Sequence, residues 1–266
     1  MDQLQEIANR VLNSIKANSS SKDDEEYECE ICKDTEWIDI YDDDGLITSS
    51  RPCKCREAKH YKRILESSGI SEAFLSKTFD NFVAKNKFIA IAKKMAIDYV
   101  KNFGNIKDSK NNSIAFLGQV GSGKTHLSIA IANELMSKGI GVRYMQYREG
   151  ITRIKQVTAD EESYVREINK YKNAKVLLID DLYKSATYRS RTGAEHLNDA
   201  DERAMFEIIN HRYLVQAPMI ISSEFCMERL LNLDEGLNSR ILDMCEGHIM
   251  EFEGRELNYR LYKQAL

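Results

Sequence analysis

The sequence predicts an α/β fold in which helices cover a parallel sheet on both faces, preceded by a small helical domain that carries cysteines. Short apolar runs recur from about residue 113 onward, and helical stretches separate most of them. This alternation is typical of a parallel sheet. Four of the six cysteines lie in a short segment before this region. We therefore expect an N-terminal domain over residues 1–70, a linker over residues 71–84 and an α/β domain over residues 85–266.

The segments before the sheet have helical or extended patterns. An apolar stripe with helical spacing runs from Leu4 to Ile15, and a Ser-rich, acidic stretch over residues 17–26 indicates a linker. A basic helix, an extended connector and a second helix follow at residues 56–69, 74–82 and 85–104. The five predicted strands come next, in the runs SIAFLG, GVRYMQY, KVLLID, PMIISS and GHIMEFE.

The composition of the chain excludes several function classes. Its net charge of −4 argues against a protein that coats nucleic acid through overall positive charge, so any DNA contact needs a local patch. The first ten residues lack the basic and apolar regions of a signal peptide. No apolar run approaches the ~18 residues that span a membrane. We expect a cytoplasmic protein with no membrane partner.

The clustered cysteines predict a metal site. They form two close pairs separated by twenty residues, Cys29-x₂-Cys32 and Cys53-x-Cys55. Each pair can occupy two corners of a tetrahedron, which is a common arrangement for structural Zn²⁺. Disulfides are uncommon in the cytosol, although redox chemistry or cysteines without a ligand remain alternatives. His60 is an alternative ligand, and Cys226 and Cys245 are expected to be core residues.

A glycine-rich loop predicts a nucleotide site. The run GQVGSGKT over residues 118–125 matches G-x-x-x-x-G-K-[ST], follows a predicted strand and opens a predicted helix. The expected ATP-binding residues are Gly118, Gln119, Val120, Gly121, Ser122, Gly123, Lys124, Thr125 and His126. In this arrangement Lys124 contacts the β- and γ-phosphates, and the Thr125 hydroxyl binds Mg²⁺. The alternative is a glycine-rich turn without a ligand.

An acidic strand end completes this site. The run KVLLIDD predicts a buried strand with Asp180 and Asp181 at its carboxyl end, the edge of an open α/β sheet where ligands bind. We expect Asp180 to lie on the Mg²⁺ side. Asp181 is then the group that orients or deprotonates the attacking water. The alternative is an acidic loop that only ends the strand.

Five motifs of the chain resemble the DnaC/DnaI family of replicative helicase loaders, which are AAA+ ATPases related to the transposition helper IstB. They are GxxGSGKTHL, IDD, MFEIINHRY, SRILDMC and NYRL, and they occur in the family's order over about residues 75–266. The resemblance implies an AAA+ P-loop domain. The cysteine-bearing front end also resembles DnaI and its phage relatives, whose N-terminal zinc domain docks on the helicase.

The resemblance also implies roles for single residues. Arg240 matches the arginine finger that acts on a neighbouring subunit's nucleotide, and Arg260 matches the sensor 2 arginine. Glu224 stands where many members have an asparagine at sensor 1. Because a carboxylate cannot donate a hydrogen bond to the γ-phosphate, either Ser223 does so or Glu224 acts on the water. The alternative for each arginine is a surface salt bridge.

The implied function is an ATPase that binds a hexameric DnaB-type helicase, self-associates through its AAA+ domain and delivers the helicase to single-stranded DNA. Three basic segments suit such DNA, at residues 51–63, 148–155 and 183–191, the last including Tyr183 and Tyr188. Solvated loops are the alternative for these segments, and the Leu4–Ile15 stripe either docks on the helicase or packs on the zinc domain. The competing functions are an IstB-like transposition helper and a zinc-dependent interaction module with a vestigial ATPase.

Overall fold

The computed structural model describes residues 27–261 of the chain. Within this range the chain forms two compact units. The first contains the described residues up to Ser67 together with residues 137–139, and the second contains residues 68–136 and the described residues from Ile140 onward.

The first unit combines a β-hairpin with a helix. Strands β1 (Trp37–Tyr41) and β2 (Ile47–Pro52) pair antiparallel, and helix α1 (Cys55–Ser68) follows them. The turn forms because the Asp42 carboxylate accepts the backbone N–H of Leu46 at 2.8 Å. The predicted basic helix is therefore present. The expected small helical domain also contains the hairpin, which occupies the segment between the two cysteine pairs.

The second unit contains, among the described residues, seven strands: β3 (Ile114–Gly118), β4 (Val142–Gln146), β5 (Val176–Asp180), β6 (Thr187–Arg189), β7 (Glu195–Leu197), β8 (Met219–Ser222) and β9 (Ile249–Phe252). Five of them form one parallel sheet in the order β4–β5–β8–β3–β9, while β6 and β7 form a separate antiparallel hairpin. All five predicted strands are confirmed. Three of them, β3, β5 and β8, are buried at every residue, which explains why they read as unbroken apolar runs.

Helices flank this sheet, which confirms the predicted α/β fold. They are α2 (Glu72–Leu75), α3 (Lys87–Ile106), α4 (Lys124–Ser137), α5 (Tyr147–Gln156), α6 (Glu161–Lys172), α7 (Asp199–Leu214), α8 (Met227–Leu233) and α9 (Glu235–Met244), with a 3₁₀ turn at Arg255–Leu257. Polar caps fix several starts, because the side chains of Asn86, Asp160 and Asp234 accept the backbone N–H three residues ahead.

The strand order brings three loop segments together. Strands β5, β8 and β3 are neighbours, and they run in the same direction. Their carboxyl ends therefore meet at one edge of the sheet, so that the residues after Gly118, Asp180 and Ser222 share one space. This edge positions the candidate site.

A fully buried arginine ties helix α6 to strand β8. The Arg212 guanidinium donates to four carbonyl oxygens, at 2.7 to 3.1 Å: those of Tyr171, Lys172, Ala174 and Pro218. Three of these carbonyls belong to the end of α6 or the residues just after it, where helix carbonyls lack partners within the helix. Burial lowers the pKa of Arg212 to about 9. The side chain therefore acts as a structural clamp, which sequence reasoning did not identify.

Within residues 27–261, no helix combines the length and the apolar character that crossing a membrane requires. The predicted apolar stripe from Leu4 to Ile15 and the acidic linker over residues 17–26 lie outside the described residues.

Candidate nucleotide site and cysteine cluster

The glycine-rich loop wraps the start of helix α4. Gly121 and Gly123 have φ values of 76° and 97°, in the left-handed region that favours glycine. A Cβ on Gly123 would lie 2.7 Å from the Phe82 ring, and one on Gly121 would overlap the Asn258 side chain. Only glycine fits these positions. The loop and the first turn of α4 line the cavity, and the N-terminus of a helix favours a bound anion.

Lys124 lies buried at the base of this loop, with 6% of its surface exposed. Its ammonium donates to the carbonyls of Gly118 at 2.8 Å and Gln119 at 2.6 Å. Burial lowers the pKa of Lys124 to about 8, although the carboxylates that face it act in the opposite direction. A bound phosphate would supply the charged partner that two carbonyls do not.

The side chains of Asp180 and Thr125 bring oxygen atoms together beside the loop. The Thr125 hydroxyl donates to Asp180 Oδ1 at 2.9 Å. Ser222 donates to the same oxygen, and Tyr144 donates to Oδ2 at 3.3 Å. Burial raises the pKa of Asp180. Neighbouring ligands of octahedral Mg²⁺ lie about 3 Å apart, so this donor set fits the ion.

Asp181 and Glu224 share one cation. The Lys184 ammonium lies 2.8 Å from Asp181 Oδ2 and 2.7 Å from Glu224 Oε1. Burial opposes the charge of Lys184, but these two hydrogen bonds raise its pKa overall. Sequence reasoning assigned Lys184 to a DNA-binding patch and missed this pairing. The spacing of three residues from Asp181 was the available signal.

The residues before α3 and after β9 form the other walls of the cavity. It has a volume of about 810 Å³, within the range of ligand pockets, and Arg260 is part of its lining. The backbone N–H of Tyr259 donates to the Gly121 carbonyl at 3.0 Å, which attaches this segment to the loop. His126 also lines the cavity, and its Nε2 is 2.9 Å from the Thr78 carbonyl. Burial lowers the pKa of His126, which favours the neutral ring.

The four cysteine thiols of the first unit converge on one point. Their Sγ atoms all lie within 4.8 Å of one another, with 3.8 Å between Cys29 and Cys53 and 3.4 Å between Cys32 and Cys55. A tetrahedral site with metal–sulfur bonds of ~2.3 Å has edges of about 3.8 Å. The thiols are free rather than paired in disulfides. The cluster could therefore hold one tetrahedral metal ion.

The surroundings act differently on two of these thiols, because burial raises the pKa of Cys55 whereas Cys29 is shifted the other way. Backbone N–H groups, above all that of Cys32, lower the pKa of Cys29 to about 7, which favours the thiolate that binds metals. The backbone of the first pair is held by Asp34, whose carboxylate accepts the N–H of Cys29 at 3.0 Å and the Lys59 ammonium at 2.6 Å. His60 is not one of the clustered ligands.

Residues 56–265 match the family model described as IstB-like ATP binding protein. The chain belongs to this family. The expected relation to the IstB ATPases is thereby confirmed.

Relatives of this IstB-like protein include phage and replication proteins. It is 37% identical over 247 residues to the phage-like element PBSX protein XkdC of Bacillus subtilis (strain 168), covering 91% of this chain and 89% of that protein. It is 29% identical over 155 residues to the replicative helicase loader DnaC of Buchnera aphidicola, covering 56% of this chain and 60% of that protein. A crystal structure of the DnaC helicase loader has the same fold, with a TM-score of 0.55 and 22% identity over 69% of this chain and all of that one.

Arg240 of this IstB-like protein lies away from the nucleotide cavity. It belongs to α9, where its guanidinium donates to the Gly236 carbonyl at 3.0 Å and lies 5.6 Å from the centre of the Phe206 ring. It is not part of the cavity lining, whereas Glu224 and Arg260 are.

The expectation of a hydrogen bond from Ser223 to the γ-phosphate is wrong. Its side chain is fully buried, and its hydroxyl donates to the Leu182 carbonyl at 2.9 Å. It also accepts the backbone N–H of Phe225 and is not part of the cavity lining. The hydroxyl is thus committed to holding the backbone.

The basic segments differ from the predicted DNA-binding pattern. Tyr183 cannot stack on bases, because it is fully buried and donates to Asn238 at 3.2 Å. Tyr188 is about half exposed on the β6–β7 hairpin, close to the ring of His196. Lys155 is ion-paired with a buried aspartate. Tyr188 and Arg189 are thus exposed together on the hairpin. Arg56 of the first basic segment lies 4.5 Å from the ring centre of the exposed Trp37.

The two remaining cysteines are not equally buried. Cys245 is fully buried, as predicted for a core residue. Cys226 is only partly buried and precedes helix α8, so its assignment to the core is wrong.

Proposed function

We propose that this protein is an ATP-dependent loader that binds a hexameric DnaB-type replicative helicase and delivers it to single-stranded DNA in the cytoplasm. The cavity at the edge of the sheet carries this proposal, because it combines a phosphate-binding loop with carboxylates and an arginine. The likeness to a protein named as a replicative helicase loader supports the choice of partner.

The cavity residues have distinct roles in ATP hydrolysis. The loop from Gly118 to Thr125 holds the phosphates, and Lys124 neutralises the β- and γ-phosphate charge. Thr125 and Asp180 would hold Mg²⁺, which would offset the charge of the phosphates when bound. Asp181 orients and deprotonates the attacking water, with Glu224 as the second candidate. Arg260 adds a further positive charge to the phosphate site.

Arg240 acts in trans in this proposal. Its position outside the cavity of its own chain supports a role at the nucleotide of a neighbouring copy. The active unit is then an assembly of AAA+ domains in which each site lies between two subunits. The helicase hexamer and DNA gather these subunits.

The four-cysteine cluster holds structural Zn²⁺. Four thiolates and no open position suit a structural site rather than a catalytic one. The ion stabilises a small unit with many exposed apolar side chains. This unit serves as the docking domain for the helicase.

Purified protein is expected to contain about one zinc ion per chain. Cys32→Ser should lose most of this zinc and loosen the N-terminal unit, because three thiolates cannot close the tetrahedron. Cys226→Ser is the matched control, since Cys226 lies outside the cluster. Elemental analysis measures the metal. A wild-type chain without metal, purified under reducing conditions without chelator, contradicts the assignment.

The second candidate function is a transposition helper that works with a transposase. The match to the IstB-like family model favours it. The N-terminal cysteine cluster favours the loader, because we expect IstB-like helpers to have a different, helical front end.

Gel filtration with a DnaB-type helicase tests the loader. The full chain with ATP and Mg²⁺ should co-elute with the hexamer and transfer it to single-stranded DNA, whereas Lys124→Ala should not support transfer. Failure to co-elute in any nucleotide state, together with binding to a transposase, would favour the second candidate.

In the same preparation, a mixture of Arg240→Ala and Lys124→Ala chains should hydrolyse ATP faster than the sum of the separate variants, because neighbours rebuild complete sites. Simple additivity in a shown co-assembly argues against the trans role.

A further inference from the structure

Lys184 lies where the nucleotide cavity meets the two carboxylates that are candidates for water activation. It lines the same cavity as Lys124, Asp181 and Glu224. An ammonium has three N–H donors. Among the described residues, the contacts shown for this ammonium are to one oxygen of Asp181 and one of Glu224. A third N–H is therefore available to a ligand in the cavity.

The charges in this cavity act on one another. Burial has the largest effect on the pKa of Lys124 and lowers it. The next largest effects come from nearby charges: Glu224, Asp181 and Asp180 raise this pKa, and Lys184 lowers it. The ammonium groups of Lys124 and Lys184 thus share one space with these carboxylates. A bound polyphosphate would enter this space, where the two cations can offset its charge.

The backbone around Lys184 is held in an unusual conformation. Asp181, Tyr183 and Ser185 all have φ values near +60°, although none is glycine. Such residues cost of order 1–3 kcal/mol each and persist only where the surroundings fix them. Tyr183 provides this restraint, because its buried hydroxyl donates to Asn238, and the Leu182 N–H donates to the Ser222 carbonyl at 2.8 Å.

The two carboxylates fix the end of the side chain as well. A lysine has four rotatable side-chain bonds, so an exposed ammonium samples many positions. Here the charge is held between two carboxylates that follow β5 and β8, and these strands are neighbours in the sheet. Glu224 has no donor of its own, but it positions one.

We propose that Lys184 is a catalytic residue that donates a hydrogen bond to the terminal phosphate of a bound nucleoside triphosphate. It thereby distinguishes a triphosphate from a diphosphate, and Glu224 acts through it as a positioning residue. Negative charge on the terminal phosphate oxygens is stabilised by a cation already in place. The proposal rests on the proposed ATPase function.

Binding of a non-hydrolysable ATP analogue and of ADP, each with Mg²⁺, tests this role in the full chain. Lys184→Ala should lower the affinity for the analogue about tenfold or more, because a charged hydrogen bond is lost, while ADP affinity changes less than about twofold. Lys184→Arg should restore most of the loss. Lys172→Ala is the matched control, since Lys172 is partly buried and paired with Glu207 at 3.0 Å outside the cavity.

A double variant separates hydrogen-bond donation by Lys184 from repulsion by Glu224. Lys184→Ala leaves the Glu224 carboxylate without its partner, which could repel a phosphate. In Lys184→Ala/Glu224→Ala the repulsion from Glu224 is absent. The selective loss of affinity for the ATP analogue should persist in this double variant. Return to wild-type affinity overturns the proposal, as does an equal loss of both nucleotides or faster turnover in Lys184→Ala. If the wild type binds neither nucleotide, the ATPase function itself fails.

Discussion

Asp181→Asn is expected to bind ATP with nearly normal affinity and to hydrolyse it about 10²–10³-fold more slowly. The amide keeps the shape of the side chain but cannot accept a proton from water. The phosphate-binding loop and the pair of Thr125 and Asp180 are unchanged, so the nucleotide is still held. Steady-state turnover and equilibrium nucleotide binding, measured on the same preparation with helicase and single-stranded DNA, give the two numbers.

Two further variants make this result specific. Lys124→Ala should lose nucleotide binding itself, because the buried ammonium is the charge at the base of the loop. Glu224→Gln makes the same chemical change at the other carboxylate paired with Lys184. If Asp181→Asn hydrolyses ATP at the normal rate and Glu224→Gln does not, Glu224 rather than Asp181 acts on the water.

Arg212→Met is expected to lower the free energy of unfolding by about 3–5 kcal/mol. The substitution fills part of the space but leaves four carbonyl oxygens without their donor. Each buried acceptor without a partner costs about 1–3 kcal/mol, and release of a buried charge offsets part of the sum. Chemical denaturation with a two-state fit to the larger unit measures the change.

Arg203→Met is the control on the same helix. Arg203 is exposed, so its replacement should change the free energy of unfolding by less than about 0.5 kcal/mol. The free energy of unfolding of Arg212→Lys should lie between those of Arg212→Met and Arg203→Met, because one ammonium cannot reach all four carbonyls. An Arg212→Met chain as stable as wild type means that water or a backbone shift satisfies these carbonyls.

The main sheet could be predicted because its strands carry a strong local signal. A strand buried on both faces reads as a short apolar run, as in IAFLG and VLLID. The β1–β2 hairpin gave no such signal, since β2 is exposed along its whole length and contains polar residues. Hairpin β6–β7 was missed because each strand has only three residues.

Within the site, contiguous features were predictable and distant ones were not. The glycine-rich loop is one short motif, so its residues are fixed relative to one another by local geometry. The Lys184 contact with Glu224 depends on two strands being neighbours and on left-handed backbone at Asp181, which no local pattern encodes. The burial of Tyr183 and Ser223 is likewise set by packing from helices and strands elsewhere in the chain.

The position of β3 in the sheet has a consequence for synthesis on the ribosome. This strand leads into the phosphate-binding loop, yet both its neighbours, β8 and β9, come much later in the chain. Ser113, just before β3, accepts a hydrogen bond from Met219, 106 positions away. Because synthesis adds ~5–20 residues per second, the apolar residues of β3 wait about 5–20 s until their first neighbouring strand has been made. The nascent chain thus carries an exposed β-strand over this interval, which makes it a candidate client for chaperones and delays nucleotide binding until synthesis is nearly finished.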